Sequence, residues 1–232
     1  MKALILCAGE GSRLRPLTQI LPKPLVPVAG IPMVVRQIKA LKAAGITSIV
    51  INTAHGAGVL EPQLGDGARW GVTIRYSREG RSTADALETL GGIVKALPLL
   101  TDEGEESFLV VAGDIVTAYD YRSLVLAAQG LKAQDKTAHL VLVPNPPYHS
   151  QGDMTLTDSI VSRETKTLTF SSLGAYRADI FRGLPAERAK LFPWLWQFVD
   201  SGRVSGEFFD GMWLNVGDFD ELEKANQLLQ TA

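Results

Sequence analysis

Cysteine is almost missing from this chain of 232 residues: Cys7 stands alone. No disulfide can form within the chain, and a lone thiol inside an apolar run is expected to pack as a small hydrophobe. An excess of basic residues is missing as well, since 23 Lys and Arg face 25 Asp and Glu, for a formal net charge of −2. That balance argues against nucleic acid as the main partner, because polyanion binders carry a basic face. A small phosphorylated ligand needs only a local cluster of donors and stays open. No apolar stretch reaches the length of a membrane span. The opening "ALILCA" after Lys2 is too short for the apolar core of a signal peptide, and Glu10 and Arg13 follow at once. These absences are expected of a soluble, cytoplasmic protein. Internal repeats, low-complexity tracts and linkers are also wanting, so one domain over 1–232 is expected.

What is present is alternation. "ALILC" reads as a buried strand, and "IPMVVRQIKALKAAG" as a helix with Val34, Ile38 and Leu41 on one face and Gly45 as its C-terminal cap. "SIVIN", "VTIRYS" and "SFLVVAGD" read as further strands, with a helix ending near "GGIVKAL" between the last two. Strand and helix in turn predict an α/β protein with a mainly parallel sheet flanked by helices. "HLVLVP" predicts another central strand, and "GDMTL", "SIVSR" and "TFSSLGAY" shorter extended pieces. A helix over 187–201, a hairpin in "SGEFFDGMWLNVG" and a final helix from Asp218, with Asp218 as its N-cap, complete the expectation. The charged "TDEGEES" reads as a surface loop. The half up to about 115 would bind a nucleotide, and the half from about 116 a second substrate.

The first strand runs straight into "AGEGSRLRPLT". Gly9 and Gly11 fit the dinucleotide fingerprint, but Leu14 holds its third glycine position, and Met33, Val34 and Val35 stand where an acidic ribose ligand is expected. A dinucleotide-dependent oxidoreductase is therefore ranked far behind. The Gly-Lys-Ser/Thr of a Walker loop is absent too. Prolines at 16, 22, 24 and 27 forbid an immediate helix, which leaves a long, extended, rigid loop carrying Arg13, Arg15 and Lys23. Such a loop suits a triphosphate: glycines let backbone N–H groups approach phosphate oxygens, and the cations neutralise a departing pyrophosphate. The plainer reading is a surface loop with solvated cations.

"AGEGSRLRPLT…PKPLVPVAG" resembles the signature of the sugar-1-phosphate nucleotidyltransferases, and the likeness continues through "FLVVAGD", "LTFSSLGAY" and "MWLNVGD". Within the family it is most similar to the N-acetylmuramate-1-phosphate uridylyltransferase subgroup of bacterial cell-wall recycling. The resemblance implies a Rossmann-like fold and a transfer of a nucleoside monophosphate, from UTP in that subgroup, to a sugar 1-phosphate. The partners would then be a nucleoside triphosphate and a sugar 1-phosphate, with Mg²⁺ as cofactor. It places Gly9, Gly11, Ser12, Arg13, Lys23, Glu88 and Thr89 at the nucleotide, with Arg13, Lys23 and Asp114 catalytic. Asp114 and Asn215 would hold the metal, and Asp153, Lys190 and Glu207 would face the sugar.

Each assignment has a structural rival. Asp114 ends a strand and could cap a helix; Asn215 could complete a turn; Glu88 and Thr89 could simply begin a helix. Asp153 could shape a turn, Lys190 could be solvated, and Glu207 could pair on an edge strand. His55 and His139 lack the spacing of a metal pair. Trp194, Trp196, Phe198 and Trp213 read as core or interface. The chain also departs from the subgroup. Asn215 replaces the commoner aspartate, Ala112 an asparagine and Leu90 a small residue, and "REGRSTAD" is longer than usual. Those departures leave room for another base or sugar, or for a regulatory relative that kept the fold and lost catalysis.

Overall fold

The computed structural model describes residues 1–54, 56–80 and 82–230. His55, and Arg81 within "REGRSTAD", lie outside the described residues. Thirteen strands and eight α-helices are described: β1 (Ala3–Leu6), α1 (Leu17–Ile20), β2 (Pro27–Val28), β3 (Ile31–Pro32), α2 (Met33–Ala43), β4 (Ser48–Thr53) and α3 (Ala57–Leu64) come first. β5 (Thr73–Arg78), α4 (Glu88–Leu100), β6 (Ser107–Ala112), β7 (Ile115–Thr117), α5 (Tyr121–Gly130) and β8 (Ala138–Pro144) follow. The chain ends with β9 (Thr155–Thr157), β10 (Ile160–Ser162), β11 (Leu168–Arg177), α6 (Leu191–Trp194), α7 (Trp196–Asp200), β12 (Val204–Phe208), β13 (Trp213–Asn215) and α8 (Phe219–Gln230).

One nine-stranded sheet, in the order β5-β4-β1-β6-β11-β8-β12-β10-β9, runs through both halves of the sequence. The strands β5, β4, β1 and β6 are mutually parallel. Their near-continuous apolar runs suit strands covered on both faces. On one face lie α2, α3 and α5, which bury Val34, Ile38, Leu41, Leu60 and Leu124. On the other, α4, α6 and α7 bury Ile93, Leu191 and Val199. β11 enters antiparallel between β6 and β8, and β12 then lies parallel to β8. A third, smaller core joins α8 to β7 and β13 through Ala225, Val116 and Leu214. The α/β expectation is met, and Gly45, at φ +86°, ends α2 as read.

Three local expectations are corrected. The helix over 187–201 begins only at Leu191 and is broken into α6 and α7. Phe192, the residue before Pro193, is held extended at φ −96°, ψ 133°, which is where a following proline drives it. The hairpin in 205–217 is no hairpin: β12 pairs with β8 and β13 with β7. The loop after β1 is not extended either, since it folds into single turns at Ser12–Leu14, Leu17–Ile20 and Lys23–Leu25. The prolines limit each turn to three or four residues without straightening the chain between them.

Candidate active site

The carboxyl ends of the parallel strands open into a cleft of about 570 Å³, lined among others by Gly9, Lys23, Glu88, Thr89 and Asp114. A crevice beyond the strand ends is where open α/β sheets take ligands, and this volume suits a nucleotide-sized one. Five of the expected residues thus meet in one place.

The glycine loop forms the cleft's floor. Among the described residues, no protein acceptor takes the N–H groups of Gly9, Glu10 or Gly11. Gly11 is required twice over. Its φ is +65°, and a Cβ there would stand 2.8 Å from the Cβ of Lys23. This contact folds the loop back on the second motif and delivers Lys23, which is buried, to the cleft. Its Nζ donates to Asp114 Oδ2 at 2.5 Å. Ser12 begins the first turn and is exposed. Arg13 is exposed and, among the described residues, has no carboxylate within ion-pairing distance. Its guanidinium lies against Gly217, 2.8–3.2 Å from where a Cβ would be. The first motif and the last therefore touch.

Asp114 sits in the turn between β6 and β7, half-buried, and caps no helix. Asn215 is paired with Ile115 in the β7–β13 ribbon, and the N–H of Val216 donates to the carbonyl of Asp114 at 3.1 Å. The backbones of the two expected metal ligands thus run side by side. Asp218 is the N-cap as read: its Oδ1 accepts from the N–H of Glu221 at 3.0 Å. Tyr148 is half-exposed and lies within electrostatic reach of Glu221, Asp218, Asp114 and Arg13. Burial first, then the negative charges of Glu221, Asp218 and Asp114 against the opposing Arg13, push its hydroxyl up to about 12.

The residues present fit a divalent cation held jointly with substrate. Among the described residues no group of three His, Cys, Asp or Glu side chains converges, so the protein offers no closed cage. One carboxylate and one amide oxygen, both hard donors, are what a Mg²⁺-type ion needs when phosphates and water fill its remaining positions. The ammonium of Lys23 on Asp114 marks the same spot as one that takes positive charge.

Across the cleft stands the N-terminus of α4. Glu88 begins it at φ +59°, and its carboxylate lies 3.5 Å from Arg188. The N–H groups of Leu90 and Gly91 donate to the carbonyl of Ala189 at 3.0 and 3.3 Å. Leu90 is buried and fills the core beneath rather than the cleft, so its size does not obstruct the ligand space. Ala112, by contrast, lines the cleft. Lys190 follows on the same rim, exposed and, among the described residues, without an ion-pair partner.

The sugar-side residues do not all converge. Asp153 faces the end of β11: it accepts from His149 Nε2 and from the N–H of Phe170, each at 2.9 Å. Glu207 is elsewhere. It stands opposite Val141, on the face that α5 covers. There its carboxylate accepts from the hydroxyls of Tyr119 and Ser123, the latter at 2.7 Å, and lies 3.6 Å from His139 Nε2. Burial acts to raise this carboxyl, but the adjoining His139 imidazole and the hydroxyls of Tyr119 and Ser123 outweigh it and hold it below the ordinary value. Glu207 does not line the cleft, and neither do Gly11, Ser12, Arg13, Asp153, Lys190 and Asn215.

Sequence reasoning missed Asn52, Glu79, Tyr148, His149 and Arg188. Asn52 and Glu79 were findable: each is a polar residue at or just past the carboxyl end of a parallel strand, where ligand crevices form. The thiol of Cys7 is buried as expected, and burial, then the nearby Asp114, pushes it up. The thiol is protonated and packs as a small hydrophobe.

Comparison with known proteins follows the same lines. The sequence matches the family described as nucleotidyl transferase over residues 2–166. It is 46% identical over 233 residues to an N-acetylmuramate alpha-1-phosphate uridylyltransferase of Neisseria meningitidis serogroup B, covering 98% of each chain. A mannose-1-phosphate guanyltransferase of Gibberella zeae is 30% identical over 230 residues, which cover 94% of this chain and 61% of that protein. Among solved structures, one assigned as a glucose-1-phosphate thymidylyltransferase of Bacillus anthracis, in complex with a sucrose, superposes with a TM-score of 0.84. It is 22% identical and covers 100% of this chain and 96% of its own. HddC from Yersinia pseudotuberculosis, complexed with GMP-PN, superposes with a TM-score of 0.79 at 19% identity, covering 98% and 99%. At such identity these two structures speak to the fold alone.

Proposed function

The chain belongs to the nucleotidyl transferase family, in its sugar-1-phosphate branch, and on that premise we propose that it transfers UMP from UTP to N-acetylmuramate α-1-phosphate, releasing pyrophosphate. The observation that carries this reading is the 46% identity to the uridylyltransferase across 98% of both chains. The cleft supports it, because it joins a buried cation and a carboxylate beside backbone N–H groups that, among the described residues, no protein acceptor takes.

The reaction is an in-line displacement. An oxygen of the sugar phosphate bonds to the α-phosphorus, and the bond to the pyrophosphate oxygen breaks. That attacking oxygen is already anionic, so no general base and no covalent enzyme intermediate are needed. Catalysis is then positioning plus charge stabilisation. The N–H groups of Gly9, Glu10 and Gly11 receive phosphate oxygens, with Ser12 at the start of the following turn. Arg13 holds the pyrophosphate as it leaves. Lys23 orients the phosphates from the opposite wall, moving from Asp114 onto them. Asp114 and Asn215 would hold a divalent cation, Mg²⁺ by the hardness of the donors, which when bound supplies charge neutralisation and alignment of the two phosphates. We assign Glu88 and Thr89, which line the cleft, to the nucleoside, and Asp153 and Lys190, which lie outside its lining, to the sugar. We place the product in cell-wall recycling in the cytoplasm, with residues 1–232 acting as one unit. Among the described residues no helix is long and apolar enough to cross a membrane.

The test is a matrix of the four ribonucleoside triphosphates against several sugar 1-phosphates, read by pyrophosphate release. Release is expected to be fastest with UTP and N-acetylmuramate 1-phosphate and to require a divalent cation. A different preferred base or sugar, or no release in any well, overturns the assignment.

A further inference from the structure

Asn52 and Glu79 line the cleft at the ends of β4 and β5 and are 2% and 7% exposed. Three hydrogen bonds run through them in series. The N–H of Cys7 donates to Asn52 Oδ1 at 2.7 Å, Asn52 Nδ2 donates to Glu79 Oε1 at 2.6 Å, and the N–H of Leu87 donates to Glu79 Oε2 at 2.7 Å. Cys7 opens the phosphate loop and Leu87 is the residue before α4. The series therefore spans the cleft floor from one nucleotide-binding segment to the other.

Its polarity is dictated from both ends. A backbone N–H can only donate, so Cys7 forces Asn52 to turn its oxygen toward β1 and its amide nitrogen toward residue 79. Leu87 likewise forces residue 79 to accept. Residue 79 must then accept on two separate atoms, which a carboxylate does and a glutamine cannot. Gly92 leaves the room: a Cβ there would stand 2.6 Å from Glu79 Oε1 and 3.0 Å from Asn52 Nδ2.

We infer that the Asn52–Glu79 relay sets the separation of the phosphate loop and the α4 entrance, so that Glu79 is a positioning residue for the bound nucleotide. This rests on the nucleotide reading of the cleft. It predicts a compensating pair. Glu79→Gln leaves one buried donor unpaired. Asn52→Asp sets two carboxylates against each other. The double variant Asn52→Asp/Glu79→Gln reverses the middle bond, satisfies both backbone N–H groups and keeps the net charge.

Two measurements decide it. Hydrogen exchange by mass spectrometry follows the peptide containing Leu87 without any ligand, and calorimetry gives the affinity for UTP with a divalent cation but no sugar phosphate. Either single change is expected to speed exchange at Leu87 and weaken UTP about tenfold, the usual scale for an unsatisfied buried hydrogen-bonding group. The KM for sugar 1-phosphate should stay unchanged. The double variant should return exchange and affinity to within about threefold of the starting protein. Wild-type exchange and affinity in Glu79→Gln, or a double variant no better than the singles, overturns the relay. If Glu79→Gln fails to fold, the double variant alone decides, folding and binding UTP or not. If the unaltered protein does not bind UTP, the functional reading fails while the exchange arm still judges the relay.

Discussion

Lys23 Nζ and Asp114 Oδ2 are 2.5 Å apart, an ion pair joining the second motif to the turn after β6. The pair fixes the carboxylate at the cleft, which both residues line, and on the proposed reading substrate phosphates draw the lysine away. Asp114→Ala should therefore do two things. Divalent-dependent pyrophosphate release should be lost, and the urea midpoint should fall, because a Lys23 side chain only 10% exposed is left without its counter-charge. The stability loss should be about 1–3 kcal/mol, less than for a fully buried pair because Asp114 is 29% exposed. Turnover surviving in that variant would remove Asp114 from the chemistry.

Arg13 differs from Lys23 in that, among the described residues, no carboxylate lies within ion-pairing distance of it. Its guanidinium already rests against Gly217, beside the ribbon that carries Asn215. A preorganised cation of this kind acts when charge develops on the leaving group. Arg13→Ala should lower kcat/KM by about 10²-fold. Stability should change little, since the side chain is exposed. Near-normal turnover would refute its role.

Much of this arrangement was legible before any coordinates. The strands at 3–6, 48–53 and 107–112 are apolar runs bounded by polar or turn residues, a strong local signal. Gly11, Lys23 and Asp114 carry their chemistry in type and setting, and the rule for parallel-strand ends brings them together. The failures are non-local. The break at Phe192–Pro193 was visible in residue type but outweighed by the helical composition around it. The face that Glu207 occupies follows from the register of β12 on β8, and a shift of one residue would have turned it to the other side of the sheet. Asn52 and Glu79 were findable singly, as polar residues at parallel-strand ends, but the hydrogen-bond series that links them to Cys7 and Leu87 has no motif of its own.

Asn215 tests whether the metal position is tuned or damaged. Its backbone is locked to Ile115, and its neighbour Val216 to Asp114, so the side chain's origin does not depend on its charge. Asn215→Asp adds a second carboxylate to the strand that runs beside Asp114, which already pairs with Lys23. Divalent affinity should tighten, and pyrophosphate release should be equal or faster, both measurable by titrating the cation at fixed UTP and sugar phosphate. A loss of both would show that residue 215 does not face the metal position.

Glu207 offers a prediction that separates structure from catalysis. Burial acts to raise its carboxyl, but the adjoining His139 imidazole and the hydroxyls of Tyr119 and Ser123 outweigh it and hold it below its ordinary value of 4.5. A depressed folded-state value means that the unfolded chain binds the proton first as pH falls. The stabilisation is therefore complete above pH 4.5 and is lost as pH drops through the folded-state value. Glu207→Gln should be less stable than the starting protein by a constant margin between about pH 6 and 8, and the two denaturation midpoints should converge below about pH 4.5. A margin unchanged down to about pH 3 would mean the carboxyl is not depressed by folding. Because Glu207 faces α5 and not the cleft, the KM for sugar 1-phosphate should be the same in both proteins at neutral pH. A KM that rises sharply while stability holds would instead return Glu207 to the sugar side.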